Sequence, residues 1–149
     1  QGADTVYISV PLQGDPPEVE QAEALQRFIA AAGRRGLKVW AVAGDPRAVL
    51  PDERRKYVAL AEALADYNRK APPASQLAGL QLDIEPYLNP GYAHDPEGWL
   101  AAYVETLALI RPRVMMPLDV ALPFWWGRQR LRDGLFLDAL KPLVDVVTV

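Results

Sequence analysis

Gly79-Leu80-Gln81-Leu82-Asp83-Ile84-Glu85-Pro86-Tyr87 is the stretch whose reading decides the fold. Polar Gln81, Asp83 and Glu85 alternate with apolar Leu80, Leu82 and Ile84, and a proline stops the run. Successive side chains of a strand face opposite ways, so the three polar groups share one face and the apolar ones share the other. A strand buried on both faces reads as an unbroken hydrophobic run. Two carboxylates on an inner strand cost desolvation unless they are paired, solvated or used. The strand rise sets their Cα atoms roughly 6.5–7 Å apart, close enough for each to alter the other's pKa. The bland alternative is a strand whose end emerges into water carrying solvated acids.

Around this segment the pattern alternates strand and helix. Strands are expected at Thr5 to Val10, Leu37 to Ala43, Leu80 to Glu85, Val114 to Ala121 and Val144 to Val149. Between them, 3.6-residue apolar stripes predict helices at about Glu18 to Ala32, Asp52 to Arg69 and Pro96 to Ile110. A short helix is expected near Leu135 to Leu140. Phe28 and Ile29 belong to the first stripe, Gly33 and Gly36 end that helix, and Asp95 reads as the N-cap of the third. Met115 and Met116 read as core filler.

Strand starts recur roughly every 30–40 residues, a βα repeat that implies parallel strands. Two α/β architectures fit: an open doubly wound sheet, or part of a (β/α)8 TIM barrel, which typically needs about 250 residues. The segment after the first strand, Pro11-Leu12-Gln13-Gly14-Asp15, lacks the glycine spacing of a dinucleotide loop. The chain starts almost on a strand and stops within one. The expectation is therefore a single segment, residues 1–149, carrying five strands of a partial barrel.

Composition narrows the function. The 149 residues are 50% hydrophobic and 23% charged, with a net charge of -3. Arg and Lys are scattered, so no basic footprint for nucleic acid is present. No apolar run approaches a membrane span, and no signal-peptide pattern stands at the start. Cysteine is absent, which excludes disulfides.

In both architectures ligands sit at the C-terminal ends of strands. The inventory there is Tyr7 and Ser9 on the first strand, Asp83, Glu85 and Tyr87 on the third, and Asp119 with Phe124-Trp125-Trp126 on the fourth. Aromatic rings beside acids suit a sugar: rings stack on C–H faces while carboxylates bind hydroxyls and move protons. Trp40 reads as barrel core rather than a ligand platform. The Phe124 to Trp126 run could equally fold back on the outer helices, and Asp119 could be a solvated or capping acid. His94 lies in a loop and reads as exposed.

The run from Gly79 to Pro86 also resembles the fourth-strand signature of the family 18, chitinase-like glycoside hydrolases, in which a final Glu follows alternating aspartates. The resemblance implies a (β/α)8 barrel, with Glu85 as proton donor and Asp83 as its orienting and tuning partner. It implies a carbohydrate substrate, no cofactor, and a secreted or cell-envelope setting. Three departures stand out: Gln81 replaces the middle aspartate, Ser75-Gln76-Leu77-Ala78 offers no first aspartate, and Pro86-Tyr87 inverts the usual order of aromatic and proline.

The expected function is thus a glycosidase. Glu85 would protonate the leaving oxygen, Asp83 would assist, and Tyr7, Gln81, Tyr87, Asp119, Trp125 and Trp126 would bind substrate. Without an acetamido group on the substrate a second carboxylate is needed about 5 Å away for retention or 6.5–9.5 Å for inversion. Asp119 is the candidate for that role in this chain. The alternatives are a Mg²⁺-assisted hydrolase or lyase using Asp83, Glu85 and Asp119, or a non-catalytic carbohydrate-binding relative.

Overall fold

A computed structural model of the chain describes residues 2–132 and 134–149. Its main sheet has five strands: β1 (Thr5–Ile8), β2 (Lys38–Ala43), β3 (Gly79–Leu82), β4 (Leu118–Ala121) and β5 (Val146–Thr148). Every neighbouring pair is parallel, and the spatial order follows the chain order. Among the described residues four α-helices connect them: α1 (Ala22–Gly33), α2 (Pro51–Lys70), α3 (Pro96–Ile110) and α4 (Phe136–Leu140). This is the α/β architecture expected of a partial (β/α)8 barrel. Sequential strand order distinguishes it from a doubly wound sheet, in which the order reverses at a switch point.

The helices form where local chemistry favours them. Pro51 opens α2, acidic Asp52 and Glu53 occupy its first turn, and basic Arg69 and Lys70 occupy its last, complementing the helix dipole. At α3 the Asp95 carboxylate accepts from the Gly98 N–H at 2.9 Å, capping the helix as the sequence predicts.

The core fills the space between the sheet and these helices. Leu80, Leu82, Ile84, Leu118 and Val120 are buried there with Leu64, Leu100, Tyr103, Leu107 and Ile110. Each such side chain contributes roughly 1.5–3 kcal/mol of burial free energy. Arg54 joins the loop after β2 to α3. It reaches Glu105 at 3.1 Å and the carbonyls of Val49 and Ala102 at 2.8 and 3.3 Å.

Several element boundaries differ from expectation. The first helix starts at Ala22 rather than Glu18, because Leu12–Gln13 and Glu18–Val19 pair as a short antiparallel ladder across the Pro16-Pro17 turn. Gln21 then takes a left-handed conformation that redirects the chain into the helix. Phe28 is 47% exposed, while Ile29 and Ala32 carry the buried stripe. The fourth strand starts at Leu118, not Val114, because Arg111–Arg113 forms a 3-10 turn and the extended lead-in follows it. Alternation along that lead-in buries Val114 and Met116 and turns Met115 outward, 94% exposed, so Met115 is not core. The ladder assignments of β1, β3 and β5 also stop short of the expected ends.

Candidate active site

β3 is the middle strand, and its neighbours complete what Gln81, Asp83 and Glu85 begin. Leu80, Leu82 and Ile84 face the helices and are 0, 0 and 1% exposed, so the polar set occupies the opposite, concave face. The register aligns Val42, Gln81, Asp119 and Val146 across β2 to β5, with Tyr7, Trp40 and Gly79 one row below.

The lower row is a floor of rings. Tyr7 and Trp40 lie with centroids 6.1 Å apart, and the Trp40 indole rests directly over Gly79. A Cβ at position 79 would come within 2.3 Å of Trp40 Cζ3, so glycine is the residue that leaves the ring its place. Trp40 therefore lies on the concave face, only partly buried.

Above it sits a buried polar knot. Asp119 is wholly inaccessible; its Oδ2 accepts from Gln81 Nε2 at 2.6 Å and from Thr148 Oγ1 at 2.8 Å, while Oδ1 has no partner. Two donors on one oxygen offset part of the cost of burying the carboxylate. Across the sheet, the Tyr7 hydroxyl is pushed above its ordinary range by burial and then by the Asp119 charge, with Thr148 opposing and Asp4 adding. Residues on the two outermost strands thus meet over the floor, as a curled sheet requires.

At the C-terminal rim the chain opens. The Asp83 N–H still donates to the Ala43 carbonyl at 2.9 Å, continuing the ladder, and the Asp83 side chain is exposed. A Cβ on Gly44 would lie 1.8 Å from the Asp83 carbonyl oxygen, so the close approach of the two strand ends depends on that glycine. Neighbouring protein atoms crowd one side of the Asp83 carboxyl and hold it above the usual carboxylate range, with the charge of Glu85 adding to the effect. Glu85 is half-buried, and its Oε1 accepts a hydrogen bond from the Tyr87 hydroxyl. Pro86–Leu88 forms a 3-10 turn, and the Asn89 side-chain amide ties it to the carbonyls of Pro46 and Pro86 at 2.6 and 3.0 Å. Burial, then the bond and charge of Glu85, then the charge of Asp83, push the Tyr87 phenol up to about 12.

The aromatic run after β4 divides. Phe124–Arg128 is a 3-10 segment that sends adjacent tryptophans in different directions. Trp125 is 47% exposed with its ring 5.6 Å from Tyr87, and Phe124 stands exposed beside it. Trp126 is fully buried against Tyr103 and Phe136, so it is core and presents no surface to a ligand. Asp119 has no accessible atom and does not reach the rim surface.

The structure thus gathers Asp83, Glu85, Tyr87 and Trp125 at the rim, and Tyr7, Gln81 and Asp119 in the floor. The sequence reading missed Thr148; its signal was the single hydroxyl in a valine-rich strand, two residues beyond Asp119's register partner. His94 is exposed, and among the described residues no three acidic, His or Cys side chains converge as a metal's ligands. A groove of about 890 Å³, lined by Val104, Glu105, Leu131 and Asp138, includes none of the rim or floor residues.

One solved structure matches over nearly the whole chain: the chitinase domain of the spore coat protein CotE from Clostridium difficile. The superposition has a TM-score of 0.57 at 18% identity. The fold is chitinase-like. The match covers 97% of this chain and 43% of the neighbour's, so the chain spans less than half the length of that domain. No family model and no curated protein sequence matches. At this identity the likeness concerns the fold, and among the described residues no helix is long and apolar enough to cross a membrane.

Proposed function

We propose that the chain is the site-bearing part of a glycoside hydrolase acting on an oligo- or polysaccharide, with Glu85 as the general acid and Asp83 as its orienting partner. One observation carries the reading. Two carboxylates stand together on the concave face at the C-terminal end of the central strand, where barrels of this class bind their ligands. Trp125 adds an exposed ring at the same rim. A sugar ring stacked there would have its glycosidic oxygen within reach of an acid that protonates it as the bond breaks.

Since Asp119 is sealed in the floor, the two-carboxylate mechanisms would need an acid from outside residues 1–149. Asp83 supports the remaining route, in which the substrate's own acetamido group is the nucleophile and a neighbouring carboxyl orients it. The chitinase-like fold favours the same choice.

The test is Glu85→Gln in the full-length protein. It keeps the size and hydrogen-bonding reach of the side chain but removes the transferable proton. Turnover of an unactivated β-1,4-linked N-acetylglucosamine oligomer is expected to fall by about 10²–10⁴, with little change in binding. A nitrophenyl glycoside, whose leaving oxygen needs less protonation, is expected to lose less. Near-native turnover of the unactivated substrate would refute the assignment.

A further inference from the structure

The Tyr87 hydroxyl donates a hydrogen bond to Glu85 Oε1. Its ring is held by three others at near-perpendicular angles: Tyr92 at 6.5 Å, Trp125 at 5.6 Å and Trp126 at 5.8 Å. The backbone beneath is equally fixed. Leu88 N–H donates to the Glu85 carbonyl at 3.0 Å, Asn89 N–H to the Pro86 carbonyl at 3.0 Å, and Pro86 itself is buried. A phenol held this firmly sets the direction in which the carboxyl it binds can point.

We propose that Tyr87 is the positioning residue of Glu85 rather than a substrate ligand: its hydroxyl aims the carboxyl and stabilises the charge left when the proton departs. This rests on the glycosidase reading of the same site. The chemistry favours a role in the reaction over a role in binding. As the Glu85 O–H bond breaks and the proton passes to the glycosidic oxygen, negative charge grows on Glu85. A hydrogen bond donated to that group therefore strengthens along the reaction coordinate, which is the condition for accelerating a step rather than tightening a complex. The Glu-Pro-Tyr order makes the contact local: the proline turn folds residue 87 back over residue 85.

The two roles separate in kinetics. Tyr87→Phe keeps the ring and its packing and removes only the hydroxyl. The proposal predicts a kcat about 10- to 100-fold lower with KM within about twofold. A raised KM at unchanged kcat would show a sugar ligand and overturn it. A second measurement needs no substrate and so stands even if the protein hydrolyses no glycoside. Site-specific 3-fluorotyrosine at position 87 places a more acidic phenol and a ¹⁹F reporter beside Glu85. Its titration midpoint is expected to fall by about one unit or more when Glu85→Gln removes the carboxylate, with Asp83 intact as the remaining nearby charge on the strand. Tyr92 and His94 on the next turn, Tyr103 on α3, Asp119 on β4 and Arg128 after it are unchanged in that comparison. Equal midpoints with and without Glu85 would overturn the proposal whatever the activity shows.

Discussion

Along β3 and the residues that extend it to Glu85, Leu80, Leu82 and Ile84 on one face are interleaved with Gln81, Asp83 and Glu85 on the other, yet the two sets lie in different surroundings. The side chains of the first three are sealed among the helices. The second three grade from a buried amide bonded to Asp119, through an exposed carboxyl, to a half-buried one bonded to Tyr87 of the exit turn. A single strand thus divides the work. Its helix face supplies stability through apolar burial, and its concave face holds polar groups that stability alone would not select.

The contrast is open to attack from both sides. Leu82→Ala is expected to cost about 2–5 kcal/mol in denaturant unfolding, the range for a large-to-small change at a fully packed position. A cost under about 1 kcal/mol would mean that the helix face is not the stabilising one.

Gln81→Leu should cost about 1.5–3 kcal/mol, even though it adds apolar surface, because Asp119 loses one of its two donors and stays buried. A neutral or stabilising result would show that the floor is wetter than it is drawn.

Asp83→Asn should act in the opposite direction and by least. Crowding and Glu85 raise the folded-state pKa of Asp83, so ionising it is harder in the folded chain than in the unfolded one. That penalty is absent below the ordinary aspartate range, near ~3.9, and fully present above the raised folded value. The variant is therefore expected to be slightly more stable than the parent at pH 7, by well under about 1 kcal/mol since solvent screens so exposed a group. The gain should vanish in acid. A variant less stable at pH 7 would assign Asp83 a structural role.

Much of this was legible in the sequence because burial writes itself as periodicity. The alternation from Leu80 to Glu85 fixed which residues share a face, and the stripe of α3 with its Asp95 cap matches the helix to the residue. What escaped depended on geometry that periodicity does not encode. Trp125 and Trp126 are chemically identical neighbours, and only the 3-10 turn that carries them decides that one meets solvent and the other Tyr103. Met115 looked like core because methionine usually is, while its position in an extended lead-in decided otherwise. The bonds from Gln81 and Thr148 to Asp119 require strand register, and register is fixed by pairing partners far away in the chain.

Those same two tryptophans give the most direct test of the division between faces. In the Glu85→Gln protein, which should bind without turning over, a β-1,4-linked N-acetylglucosamine tetramer can be titrated while side-chain NMR signals are followed. Saturable shifts are predicted at the indole N–H groups of Trp125 and Trp40 and at the Gln81 side-chain amide. The Trp126 indole and the methyls of Leu80, Leu82 and Ile84 should stay in place. Shifts confined to Trp126 and those methyls, or no saturable shift at any concave-face signal, would contradict the account.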